Sequence, residues 1–131
     1  MRKNSVPSVP APTEAEEQTE LFAWAELLRG RFPELRLLYH VPNGGSRNRI
    51  EAARLQAQGV KAGVPDLCLP VARGKYHGLY IELKRTRGGR ISEAQEGWLE
   101  ALAEQGYAAA VCKGWQDAAE TIKKYLMQTE A

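Results

Sequence analysis

The sequence predicts an α/β fold in which a mixed β-sheet is flanked by helices. Amphipathic segments with a 3.6-residue period alternate with short apolar runs of strand character, in the order α-β-α-β-β-α-β-α. Glycine or proline separates most of these segments, and both residues commonly end helices and strands. A chain of 131 residues that is 44% hydrophobic is long enough for one domain with a substantial core.

The predicted domain begins at residue 13, after a tail. Residues 1–12 contain three prolines among small residues, a composition typical of flexible termini. Thr13 and Glu16 match the S/T-x-x-E capping box that begins many helices, and Gly30 is suited to end this one. We therefore expect residues 1–12 to be flexible and residues 13–131 to form the domain.

The middle of the chain is predicted to contain a strand, a short helix and a β-hairpin. Residues 35–41 form the predicted strand, and residues 49–59 form a helix that ends at a glycine. Two further strands, over residues 64–72 and 79–85, are separated by the turn-forming sequence RGKYHG. Two strands joined by so short a turn indicate an antiparallel hairpin.

The C-terminal part of the chain is predicted to form a helix, a strand and a second helix. Ser92 is a suitable N-cap for a helix that ends at Gly106, and residues 107–112 then form a strand. Residues 115–126 form the second, amphipathic helix. Its inward face is predicted to contain Ala118, Ala119, Ile122 and Leu126.

The composition argues against several classes of protein. With 18 basic and 16 acidic residues the net charge is +2, so that any DNA-binding surface must be local. Cys68 and Cys112 lie in apolar runs and are expected to be buried thiols, since so few cysteines do not suggest a disulfide framework. No His/Cys spacing suggests zinc, and His40 is interpreted as a structural residue at the end of a strand.

The signals of membrane insertion and nucleotide binding are also missing from the sequence. No apolar run approaches the ~18 residues of a membrane span, and the N-terminal residues lack the apolar segment of a signal peptide. No Walker-type loop is present, so no nucleotide cofactor is expected. We expect a cytoplasmic protein, encoded by a bacterium or a phage, without a membrane partner.

Two carboxylates and a lysine interrupt stretches that otherwise read as buried strands. Glu82 and Lys84 share one face of the second hairpin strand, because side chains alternate along a strand. A hairpin could bring Asp66 beside Glu82, where the two carboxylates would repel each other. A divalent cation such as Mg²⁺ relieves this repulsion, since it prefers oxygen ligands. A neighbouring lysine can orient a water molecule or stabilise negative charge on a phosphate.

The order of these residues resembles a known nuclease signature. Pro-Asp, a spacer and then Glu-x-Lys on a second strand is the pattern of the PD-(D/E)xK nuclease superfamily. The segments GVPDLCL, GLYIELK, HVPNGG and SEAQEGWLEALAEQGYAAAVCKG resemble the VRR-NUC branch, the virus-type replication-repair nucleases. The resemblance covers roughly residues 13–127. It implies a restriction-endonuclease-like mixed β-sheet core and metal-dependent hydrolysis of phosphodiester bonds.

The resemblance also implies a role for individual residues. Asp66 and Glu82 would hold Mg²⁺ or Mn²⁺ together with the main-chain carbonyl of Leu83. Lys84 would hold the attacking water, and Gln95 would orient Lys84 or that water. A glutamate of the first helix would join the metal site through a water molecule.

The identity of the first-helix glutamate is the open assignment. Glu14, Glu16 and Glu17 are all candidates, and Glu14 and Glu17 lie on the apolar face of the helix. Glu14 fits the family spacing to Gln18 better, so we assign it to the site and keep Glu17 as the substitute. Glu14 could instead be a solvated acid favoured by the dipole of the helix.

The other assignments have structural alternatives too. Asp66 could simply end a turn, although an unpaired acid in a strand is costly. Glu82 and Lys84 could be a charge pair on a solvated face. Gln95 could complete a capping box with Ser92, a role compatible with the catalytic one.

A turn-forming loop and a group of arginines flank these acids. The glycines of the PNGG loop would let the backbone approach a phosphate closely, although such loops are also simple turns. Arginines grouped around an acidic metal site suit phosphate contacts, although each alone could be solubilising charge. The predicted DNA-binding residues are Asn43, Gly44, Gly45, Arg47, Arg49, Arg85, Arg87 and Arg90.

We therefore expect a DNA endonuclease that requires Mg²⁺ or Mn²⁺ and leaves a 3′-hydroxyl and a 5′-phosphate. Small viral-type members of the family resemble junction resolvases and form homodimers, and we expect this chain to act like them, without a fused domain. The resemblance thus implies a homodimer that prefers branched DNA, such as a four-way junction, because a two-fold dimer places two sites on two strands. Two alternatives are a non-catalytic nucleic-acid-binding module with the same fold, and a structural protein whose charges form solvated pairs.

Overall fold

The predicted order of helices and strands is confirmed by a computed structural model, which describes residues 10–42 and 48–129. One element is added, a 3₁₀ helix over Pro33–Leu37. The helices are α1 (Glu14–Leu27), α2 (Arg49–Ala57), α3 (Glu93–Glu104) and α4 (Trp115–Leu126), and the strands are β1 (Tyr39–His40), β2 (Leu67–Leu69), β3 (Leu79–Lys84) and β4 (Ala108–Lys113).

The four strands form one mixed sheet in the order β1-β2-β3-β4. The predicted hairpin is confirmed, since β2 and β3 are antiparallel and Leu67 pairs with Ile81. β1 is antiparallel to β2, whereas β3 and β4 are parallel. Parallel neighbours need a crossover connection, which α3 supplies.

The strand predicted over residues 35–41 is wrong in its first half. Pro33 occupies the first turn of the 3₁₀ helix, where its fixed φ is compatible with helical geometry and its missing N–H costs nothing. Leu35, which lies in this helix, is buried in the hydrophobic core. Only Tyr39 and His40 remain to form β1.

The strand predicted over residues 64–72 is also shorter than expected. β2 contains only Leu67–Leu69, and prolines stand close to both of its ends, at Pro65 and Pro70. Proline has no N–H to donate, so it cannot extend a ladder of hydrogen bonds in either direction.

The predicted alternation along β3 is confirmed. Leu79, Ile81 and Leu83 face a core formed mainly with α1 and α4, where Leu21 and Ile122 are fully buried. The opposite face of β3 carries Tyr80, Glu82 and Lys84. Both cysteines are buried and free, as predicted. Within the described residues, no helix is both long and apolar enough to cross a membrane.

Some predictions concern residues that lie outside the described ranges. These are most of the predicted tail, residues 1–9, and part of the predicted DNA-binding loop, namely Asn43, Gly44, Gly45 and Arg47.

Candidate active site

The hairpin brings the two predicted carboxylates together at one end of the sheet. Because Leu67 pairs with Ile81, the residue before Leu67 comes opposite the residue after Ile81, which sets Asp66 against Glu82. The Asp66 carboxylate accepts a hydrogen bond of 2.8 Å from the backbone N–H of Leu83. The acid is therefore held against β3 by a backbone donor.

Glu82 is a buried carboxylate with one unsatisfied oxygen. The residue is 1% exposed, and its Oε2 atom accepts a 3.0 Å hydrogen bond from Gln95 Nε2. Its Oε1 atom is buried and has no hydrogen-bond partner within the described part of the chain. Burial is the main cause that raises the pKa of Glu82 from 4.5 to about 8, and the nearby Asp66 carboxyl raises it further. Part of the negative charge at this site is thus poorly compensated by the protein itself.

Lys84 stands beside Glu82 in the same buried layer. The residue is only 6% exposed, and its Nζ atom lies 3.7 Å from Glu82 Oε2. Gly89, in the loop after β3, covers it so closely that an added Cβ would lie 3.1 Å from Lys84 Cβ. This burial does not fit the alternative of a charge pair on a solvated face.

Gln95 has both of the roles that the sequence suggested as compatible. Its Oε1 atom accepts from the backbone N–H of Ser92 at 2.8 Å, and its own N–H donates to Ser92 Oγ at 3.1 Å, which completes a capping box. Because the amide oxygen is used by the cap, the amide nitrogen must point the other way, toward Glu82. The helix start thereby orients the Glu82 carboxylate.

A close contact between α3 and the turn before Asp66 makes this geometry possible. Gly63 has a φ of +90°, and an added Cβ would lie 2.6 Å from the backbone carbon of Ala94. Trp98 Nε1 donates to the carbonyl of Ala62 at 3.1 Å. Only glycine fits at position 63, so the GVPD segment sets the distance between α3 and the carboxylate pair.

The structure brings Glu14, and not Glu17, to this end of the sheet. Glu14 is exposed and lines a cavity of about 300 Å³, and its charge adds to the rise in the pKa of Glu82. The other described residues that line this cavity are Ala15, Gln18, His40, Pro42, Asp66 and Leu83.

Glu17 is buried elsewhere, against the start of α4. It is 2% exposed and accepts a 3.0 Å hydrogen bond from the backbone N–H of Trp115. Gly114, the N-cap of α4, has no side chain to satisfy that donor. Glu17 therefore caps the N-terminus of α4, where the helix dipole favours an acid. The third candidate, Glu16, is used in the capping box of α1.

The oxygen atoms at this site are suited to bind a hard divalent cation. The described residues contain no cluster of three His, Cys, Asp or Glu side chains that could bind a metal, so a cation held by Asp66 and Glu82 would need further oxygen ligands of another kind. Leu83 can supply one, since the N–H and C=O of a strand residue point to the same side and its N–H points to Asp66. The unsatisfied Oε1 of Glu82 and the opposed Asp66 carboxylate fit an oxygen-ligated Mg²⁺ or Mn²⁺.

Four of the predicted DNA-binding arginines lie within the described residues. Arg49 is the exposed first residue of α2. Arg87 and Arg90 are exposed on the loop between β3 and α3, directly after Lys84. Arg85 is half-buried, with Nη2 3.5 Å from the carbonyl of Ala11.

Sequence reasoning missed the position of His40. The residue lines the same cavity as Glu14, and its Nδ1 atom lies 3.0 Å from the main-chain oxygen of Asp66. The signal available in the sequence was its place at the start of the HVPNGG segment. Gln18 lines the same cavity one helical turn after Glu14.

Comparison with known proteins gives a consistent result. The VRR-NUC domain profile matches residues 12–116. A solved structure described as a VRR_NUC domain protein is 36% identical and superposes with a TM-score of 0.80. The superposition covers 93% of this chain and 94% of the other. No curated protein matches the chain significantly.

Proposed function

Because the chain belongs to the VRR-NUC family, we propose that it is a metal-dependent DNA endonuclease. The observation that carries the proposal is the buried Glu82, which has an orphaned Oε1 atom, faces Asp66 and lies beside Lys84. A module that only binds nucleic acid has no need of such an arrangement, since burying like charges is costly.

The proposed metal ligands are oxygen atoms of three residues. The carboxylates of Asp66 and Glu82 and the carbonyl of Leu83 would hold Mg²⁺ or Mn²⁺, with Glu14 joining through a water molecule. When bound, the cation would lower the pKa of a water molecule and neutralise charge on the phosphate.

The remaining side chains orient the reacting groups. The Lys84 ammonium can donate to the attacking water, or to a phosphate oxygen that gains charge as the bond to the leaving group breaks. Gln95 holds the Glu82 carboxylate by one oxygen and leaves the other free. Attack in line with the 3′ oxygen would release a 3′-hydroxyl and leave a 5′-phosphate.

Substrate geometry is proposed to come from a pair of chains. The proposed site is the one formed by Asp66 and Glu82, and one such site cuts one strand. A two-fold homodimer would place a second site on the opposite strand of a branched DNA such as a four-way junction.

A cleavage panel tests the proposed activity. Supercoiled plasmid, linear duplex, flap and four-way junction are incubated with the chain and Mg²⁺, Mn²⁺ or EDTA. We expect cleavage with either metal and none in EDTA, with 5′-phosphate ends. Metal-independent cleavage, or DNA binding without cleavage under every condition, would contradict the proposal.

Light scattering at micromolar concentration tests the assembly. We expect the mass of two chains, together with preferential binding of the junction over the linear duplex in competition. A mass of one chain with equal affinity for both DNAs would exclude the junction-cutting dimer but not the nuclease activity.

The exposed arginines after Lys84 are expected to bind phosphate. Replacing Arg87 or Arg90 with alanine should weaken DNA binding and reduce the slope of log K against log[salt] by about one. Fluorescence anisotropy over a series of salt concentrations measures both effects. Arg29→Ala is the matched control, since Arg29 forms an ion pair with Glu26 at the far end of α1. This substitution should leave the slope unchanged.

A further inference from the structure

We propose that His40 is a positioning residue, which holds the main chain of Asp66 so that its carboxylate keeps the geometry needed to bind the metal. The inference rests on the proposed function. It gives a role at the proposed metal site to His40, which the sequence analysis interprets as a structural residue.

The main-chain oxygen of Asp66 accepts two hydrogen bonds from the end of β1. The backbone N–H of Val41 donates at 2.7 Å, and His40 Nδ1 lies at 3.0 Å. Since a carbonyl oxygen can only accept, the Nδ1 atom must carry a proton and act as the second donor. The Asp66 carboxylate is held separately by the N–H of Leu83.

Asp66 needs this support because regular strand pairing stops just beside it. The β1–β2 ladder has two pairs, Tyr39 with Cys68 and His40 with Leu67, and β2 begins only at Leu67. The residue before Asp66 is a proline, which cannot donate a backbone hydrogen bond. Without His40, the main-chain oxygen of Asp66 would lose the hydrogen bond from the imidazole, one of the two that it accepts from the end of β1.

The surroundings of His40 show that its ring is not there to fill the core. The residue is exposed and is not part of the buried hydrophobic cluster. His40 instead lines the cavity that is also lined by Glu14, Asp66 and Leu83, which are three of the four proposed contributors to the metal site. A contact that orients a metal ligand is commonly worth about 10- to 100-fold in metal affinity or activity.

Substitutions that place a donor nitrogen at different distances from Cα test whether the Nδ1 donor of His40 supports metal binding. In asparagine the amide nitrogen is as many bonds from Cα as Nδ1 is in histidine, whereas in glutamine it is one bond farther. We expect His40→Ala and His40→Gln to weaken Mn²⁺ binding about 10-fold in calorimetry and to lower kcat by a similar factor. His40→Asn should stay within about threefold of the parent, and KM for DNA should barely change in all three variants.

His77→Ala is the matched control, because the only other histidine precedes β3 and packs against Tyr107, 5.7 Å away between ring centroids. It should leave both metal affinity and kcat unchanged.

Three results would overturn the inference. If His40→Asn were as defective as His40→Ala, or if KM rose while Mn²⁺ affinity stayed normal, the ring would act on the substrate and not through Asp66. Unchanged Mn²⁺ affinity and kcat in His40→Ala would likewise exclude a positioning role. The proposed function itself would fail if the parent chain bound no Mn²⁺ and cut no DNA. A defect seen in the His40 variants alone would leave the proposed function intact.

Discussion

Replacing Asp66 with asparagine is expected to abolish cleavage and to leave the metal-free protein as stable as the parent, or more stable. The asparagine side-chain oxygen can still accept the 2.8 Å hydrogen bond from the Leu83 N–H. The negative charge that faces Glu82 is lost, so the pKa of Glu82 should fall toward its ordinary value. Loss of a proposed metal ligand should remove activity, while loss of the repulsion should favour folding.

The same pair predicts how the stability of the metal-free protein depends on pH. The pKa of Glu82 is raised from 4.5 to about 8, so between these values the folded protein binds a proton that the unfolded chain has released. Stability should therefore fall as pH rises through this window, by at most about 1.4 kcal/mol per pH unit, and level off above it. In Asp66→Asn the fall should be smaller.

Thermal unfolding in EDTA between pH 5 and pH 9, with calorimetry of Mn²⁺ binding, measures these effects. Asp117→Asn is the matched control, since Asp117 also accepts a backbone hydrogen bond, from Lys113 at 2.9 Å, but is exposed at the start of α4. It should retain cleavage and metal binding. A large loss of stability in Asp66→Asn without metal would indicate a structural acid and count against the metal site.

Replacing Lys84 with methionine is expected to reduce turnover by about 10²- to 10³-fold with little change in DNA affinity. Methionine keeps most of the buried, unbranched volume of lysine but cannot donate to water or phosphate. Removing the ammonium takes away the nearby positive charge that lowers the pKa of Glu82, so Glu82 should hold its proton more tightly when no metal is bound. The variant is thus not expected to leave an unpaired buried charge.

Single-turnover cleavage and anisotropy separate the rate from the affinity in this variant. Lys113→Met is the matched control, because Lys113 pairs with Lys84 in the register of β3 and β4 but is exposed. Its turnover should equal that of the parent. Cleavage by Lys84→Met at the parental rate would show that the catalytic assignment of Lys84 is wrong.

Much of the fold and part of the site follow from local features of the sequence. The capping boxes at Thr13 and Ser92 and the alternation along β3 depend on residues a few positions apart, so the pattern alone predicts them. The alternation also predicts that Glu82 and Lys84 share a face, and the hairpin predicts that Asp66 lies opposite.

Tertiary structure alone decided the roles of residues whose partners are distant in sequence. Glu14 and Glu17 lie on one helix within a single turn of each other, yet one lines the cavity and the other binds the N-terminus of α4, 98 positions along the chain. His40 meets the oxygen of Asp66 across 26 positions. Periodicity shows which face of an element is buried, but which group an acid or a donor meets there depends on how the helices and strands pack.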